Sequence, residues 1–138
     1  MRQARFAAAR RVDEIATDDR PVVLSVGFTL SKDDETWRDF AHVAAASQAQ
    51  AVALMFEMAP SVVLIDIDLI QGSPIAVADF ASYRHPAARV IFISDTEIFS
   101  DGSLFAHCSN VHAHIGRGMA EPDVAALVAH HARADAAR

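Results

Sequence analysis

Short, predominantly apolar runs along this chain are separated by longer stretches in which apolar residues recur at helical spacing. PVVLSVG (21–27), SVVLID (61–66) and ARVIFIS (88–94) are rich in β-branched and large aliphatic residues. Continuous apolar character over so few residues predicts strands buried on both faces. HVAAAS (42–47) and NVHAHIG (110–116) are less apolar and read as weaker strands. Helical patterns fill the intervals. Ser31 with Asp34 has the form of a capping box and opens a short helix over 32–40. Ser47 is an N-cap for a helix running to Met58, with Val52, Met55 and Phe56 as its apolar stripe. Ser73, followed by Pro74 at the first helical position, starts a helix that reaches Tyr83 and is broken by His85-Pro86. Residues 102–107 suit a short helix, and 121–138 an alanine-rich one with Val124, Leu127 and Val128 on one face.

Strand and helix thus alternate five times, which predicts parallel pairing through right-handed crossovers. The expected fold is α/β: a five-stranded parallel sheet in a flavodoxin-like, three-layer α/β/α sandwich formed by residues 21–138. Residues 1–20 stand apart. Phe6, Ala9, Val12, Ile15 and Ala16 recur near helical spacing, so this segment is either a loosely held arm or an extra helix that packs on the domain or on a partner.

Composition narrows the class of function. With 52% hydrophobic residues the chain can bury a real core. A net charge of −6 argues against nucleic acid or an anionic membrane as partner. The single cysteine, Cys108, excludes an intramolecular disulfide and fits a reducing compartment. No apolar run approaches the roughly 20 residues that span a bilayer, and Arg10 and Arg11 interrupt the N-terminal segment. A cytoplasmic protein is expected.

In doubly wound sheets, chemistry lies at the carboxyl ends of the strands. Those ends are Gly27-Phe28, Asp66, Ser94 and Arg117. Asp66 stands out in VVLIDIDLI, because a carboxylate in an apolar run is costly unless paired or hydrogen-bonded. It is either a reactive carboxylate at an open strand end or a strand-ending group hydrogen-bonded to loop amides. Asp68 belongs to the following loop.

Residues 21–135 resemble the receiver domains of two-component response regulators, the CheY-like fold. The stretch APSVVLIDIDLIQGSP is similar to the family's apolar run ending in the phospho-acceptor aspartate, which places the acceptor position at Asp66. Ser94, 28 positions later, matches the hydroxyl residue ending strand four. In HIGRGM, Arg117 falls where the family has lysine and His114 where it has the switch aromatic. The resemblance implies partners that are signalling proteins (a histidine kinase, a phosphotransfer protein or an output protein), and it allows a homodimer. The implied binding face covers residues 102–107, 110–116 and 121–134. No output domain is expected after residue 138, so the domain is expected to act alone.

The resemblance also exposes departures. Phosphoryl transfer to a carboxylate needs charge neutralisation, largely by Mg²⁺ held by carboxylates. Where the family ends strand one with an acidic pair, this chain has Gly27-Phe28. Asp33 and Asp34 come later, in the predicted first turn of a helix, where the dipole favours acids. Asp95 replaces a small residue and would repel a phosphoryl group. Gly118 replaces proline. The reading that follows is a degenerate receiver, a pseudo-receiver in two-component-type signal transduction. It has no resident cofactor and no enzymatic activity, its Asp66 pairs with Arg117, and it works through protein–protein contact. The alternatives are a response regulator phosphorylated on Asp66 with Mg²⁺, as in a phosphorelay, and a small-molecule-binding module on the same fold.

Other constellations carry less. His107, Cys108, His112 and His114 cluster, but not at a standard zinc spacing, and no metal site is assigned. G-x-G in IGRGMAE lacks the third glycine and the downstream acid of a dinucleotide loop. Trp37 reads as core, and His130-His131 as a pair straddling a helix surface.

Overall fold

The structure, a computed structural model, describes residues 19–30, 35–94, 111–116 and 118–136. Strands β1 (Val22–Val26), β2 (Ala41–Ala45), β3 (Val62–Asp66), β4 (Arg89–Ser94) and β5 (Val111–Gly116) form one parallel sheet in the order β2-β1-β3-β4-β5. Helices α1 (Gln48–Glu57), α2 (Pro74–Arg84) and α3 (Glu121–Ala136) complete the described elements. This is the flavodoxin-like α/β architecture expected from the strand–helix alternation.

Both faces of the sheet are dry. Leu24, Val26, Val63, Ile65, Val90 and Phe92 face α1 and α2, where Met55, Val77, Ala78 and Ala81 meet them. Val23, Val62, Leu64, Ile91, Ile93 and Ile115 face α3 through Val124, Ala125, Val128 and Ala132. Double-sided burial is why these strands read as unbroken apolar runs. The helix starts are built as their sequences require. Ser47 accepts from the backbone N–H of Gln50 (3.1 Å), and Ser73 accepts from that of Ala76 (3.1 Å) with Pro74 behind it. His85 closes two helices: its main-chain N–H bonds Ala81 at the end of α2, and its ring lies 2.7 Å from the Met55 carbonyl of α1.

One expected element differs. The helix anticipated over 32–40 is not a helix in its described part, where residues 35–39 form turns. Asp39, Thr36, Trp37 and Phe40 are indifferent helix formers, and tertiary burial holds this segment instead. Trp37 is 5% exposed, stands edge-on to Phe40 at 5.9 Å and joins Leu30 in the core beneath α3. Its indole N–H donates to Glu121 Oε1 (2.8 Å), tying the β1–β2 crossover to the first residue of α3. The predicted helix at 102–107, the capping box at Ser31 and Asp34, and the segment 1–18 lie outside the described residues.

Without a long helix, the crossover depends on its aromatic anchors. Trp37→Ala should destabilise the domain by about 3–5 kcal/mol, the usual cost of emptying a buried aromatic position; chemical denaturation measures it.

Candidate functional site

The carboxyl edge of the sheet brings together Gly27, Asp66, Ser94 and Gly116. In-register pairing of Val26 with Ile65 sets the next residues, Gly27 and Asp66, side by side. Asp66 pairs with Ile93, and Ser94 follows as the partner of Gly116. Asp66 is 9% exposed and Ser94 1%, so neither reads as an open surface group. Asp66 Oδ1 accepts from the main-chain N–H of Asp68 (2.9 Å), and its carbonyl accepts from the N–H of Leu69 (3.0 Å). This tight turn meets part of the carboxylate's hydrogen-bonding need. Asp68 is exposed in the loop. That loop is pinned to α1: Gln48 Oε1 accepts from Ser73 N–H (2.9 Å) and Gln48 N–H donates to the Gln71 carbonyl (2.9 Å). Gly72, at φ 121°, packs so closely on Gln48 that a Cβ would lie 2.3 Å from that of Gln48.

Gly27 is the position on which the chemistry turns. Its φ is 92°, its N–H donates to the Ala45 carbonyl (2.8 Å), and a Cβ placed on it would lie 3.0 Å from Asp66 Cβ and 3.2 Å from Leu69 Cδ1. A side chain here is disfavoured by the positive φ and would crowd Asp66. Phe28 is no substitute: its ring packs against the apolar cluster under α3, and its carbonyl accepts from the Ser25 hydroxyl (2.8 Å). Mg²⁺ needs near-octahedral oxygen ligands from more than one group. At this edge Asp66 is the one carboxylate that the β1 and β3 ends supply, and among the described residues no three His, Cys, Asp or Glu side chains come together to hold a metal. Among the described residues, Gly27 and Phe28 bring no side-chain oxygen to the place where the receiver resemblance implies Mg²⁺ ligands.

The other predicted positions divide. His114 lies in β5, half-buried, paired with Phe92 and with its Nε2 shut off from solvent. Asp95 and Arg117 fall outside the described residues, as do Asp33, Asp34, His107 and Cys108, and so the expected Asp66–Arg117 pair does too. His130 and His131 meet edge-to-face at 5.3 Å on α3.

A polar cluster that sequence reasoning missed lies on the α3 side of the sheet. Ser25, fully buried in the middle of β1, donates to the Phe28 carbonyl and therefore accepts from His42 Nε2–H (3.1 Å). His42 sits on β2, with its pKa held below the ordinary value because burial disfavours the charged ring, against a smaller opposing pull from Glu121. Glu121 is the residue that receives the Trp37 indole N–H. Crossover, edge strand and last helix thus meet in one hydrogen-bonded and electrostatic cluster. Its one trace in the sequence is a serine inside the apolar run VVLSV.

No family profile and no curated protein sequence matches the chain. Solved structures do. The chain is similar to a response regulator receiver domain protein (CheY-like) from Methanospirillum hungatei JF-1, at 14% identity and a TM-score of 0.70, covering 86% of this chain and 98% of that one. The signal receiver domain of an HD domain-containing protein from Pseudomonas fluorescens Pf-5 is similar at 10% identity and a TM-score of 0.71, covering 86% and 99%. A response regulator receiver protein from Sinorhizobium medicae WSM419 is similar at 20% identity and a TM-score of 0.65, covering 85% and 98%. The fold is therefore that of the CheY-like receiver domains. Among the described residues no helix is long and apolar enough to cross a membrane.

Two outcomes follow from this geometry. Gly27→Asp, which puts an acid back at the end of β1, should cost about 1–3 kcal/mol from backbone strain and crowding on Asp66. It should leave the melting temperature indifferent to added Mg²⁺. The His42 environment sets a pH dependence. The unfolded chain binds the proton more readily than the fold, so stability should fall as pH drops below the ordinary histidine pKa of about 6.5. Denaturation of wild type and His42→Gln between neutral and mildly acidic pH checks this, with the variant showing the shallower loss.

Proposed function

We propose that this chain is a receiver-type signalling domain that acts by binding other signalling proteins, with its state set by those contacts rather than by Mg²⁺-dependent phosphorylation of Asp66. The observation that carries this reading is Gly27. At the position where the receiver resemblance calls for metal-binding acids, the main chain turns through positive φ directly against Asp66. Asp66 is then a buried, turn-bonded carboxylate that finishes β3. The domain carries its signal by association and not by turnover, and has no resident cofactor. Its partners are of the class that receivers meet, such as a histidine kinase, a phosphotransfer protein or an output protein. The binding face proposed for them includes β5 and α3.

A phospho-accepting response regulator is the second reading, favoured by the survival of Asp66 and Ser94 at adjacent strand ends. In that reading an acylphosphate on Asp66 would draw on Ser94 and shift the β5–α3 face between two states.

Incubation with Mg²⁺ and acetyl phosphate, followed by intact-mass measurement, separates them. The expected result is no phosphate adduct on the wild-type chain. An adduct that is abolished by Asp66→Asn would establish the second reading instead.

A further inference from the structure

We propose that the outward face of α1 and α2, centred on Phe56 and Tyr83, is a self-association surface on which a second copy of this chain docks about a two-fold axis.

The sequence of α1, QAQAVALMFE, contains one charged residue, Glu57. Its inner positions, Ala51 and Met55, are in the core, yet its outward positions Ala49, Ala53 and Phe56 are apolar as well and lie exposed. A helix that faces water on one side normally carries polar residues there; in α1 these are only Gln48, Gln50 and Glu57, which leaves an exposed apolar stripe. The neighbouring helix continues the surface. Tyr83 is 84% exposed and Phe56 58%. Phe56 is held in place, its ring 5.3 Å from that of Phe80 and the Arg84 guanidinium carbon 4.9 Å from the Phe56 ring centroid. Tyr, Phe and Arg are the residues that dominate the energetics of protein interfaces, and a pre-ordered ring loses little freedom on docking.

The charges at the rim select the occupant. Glu57 is the last residue of α1 and Arg84 the last of α2, and the two helices run side by side on the same face of the sheet. Neither residue is in an ion pair among the described residues. A two-fold axis lying between the helices and parallel to them sets α1 of one copy on α2 of the other. Glu57 then faces Arg84 twice, as an isologous interface requires. A surface that carries both members of a pair, exchanged by the symmetry operation, complements itself. It lies across the sheet from α3, so dimerisation leaves the β5–α3 face available.

Sedimentation velocity of the full chain over a range of concentrations tests the proposal. The expected result is a monomer–dimer equilibrium that Phe56→Glu and Tyr83→Glu each weaken by about tenfold or more. Both side chains are exposed, and circular dichroism confirms that the variants fold. Glu57→Arg and Arg84→Glu should each weaken the homodimer, while an equal mixture of these two variants should recover it, because only the mixed dimer restores both pairs. A wild-type chain that stays monomeric throughout overturns the proposal and leaves the face to another partner. A dimer that none of the four variants weakens overturns it too, by placing the contact elsewhere.

Discussion

Two main chains meet where β1 and β3 leave the sheet, and there Gly27 takes a positive φ so close to Asp66 that a Cβ would crowd it. The constraint originates in the sheet itself. Parallel, in-register pairing from Val23–Val62 to Val26–Ile65 fixes how far apart these ends lie. Strands buried on both faces cannot slip by a residue without inverting two cores. Once β1 and β3 are locked, the residue after Val26 must turn away beside Asp66, and positive φ is how it does so. The same contact that completes the fold therefore disfavours a side chain beside Asp66.

That contact explains how a sequence can announce a fold more clearly than a reaction. The apolar runs at 21–27, 61–66 and 88–94 were legible because each strand is dry on both sides, and the caps at Ser47 and Ser73 because their hydroxyls do local work within one turn. In the β1–β2 crossover, residues 35–39 form turns where local spacing predicts a helix. Its capping signals are local, whereas the burial of Trp37 and Phe40 beneath α3 is a long-range effect to which local spacing is blind. At the candidate site, the absence of acids at 27 and 28 could be read directly, but the positive φ of Gly27 and its distance from Asp66 could not. His42 was invisible for the same reason: Ser25 and Glu121, with which it interacts, lie on two other elements.

The two faces of the sheet are stabilised differently. On the α1–α2 side the contacts are almost wholly apolar, from Val26 and Met55 to Val77 and Phe92. On the α3 side an apolar core is crossed by directional bonds from Ser25, His42 and Trp37. Apolar packing sets volume and tolerates small displacements, while buried hydrogen bonds specify which groups meet and are costly when half made. The polar links flank or lie within the β1–β2 crossover, whose described residues form no helix, and they supply positional order there.

This division bears on how a receiver-like domain could signal without a phosphoryl group. A state change needs an element with two arrangements whose balance a partner can bias. The apolar α1–α2 layer is a poor candidate, because Met55, Val77 and Ala81 are fully buried in it and its loop is pinned through Gln48 to Gln71 and Ser73. The α3 layer is better placed. Its first residue, Glu121, receives the Trp37 indole, so a partner that moved the start of α3 would have to break or carry that bond. The energy involved, that of one charge-assisted hydrogen bond of roughly 1.5–3 kcal/mol, is of the size that binding free energy readily supplies. A bond of that kind would let contact at the start of the last helix be felt in the crossover.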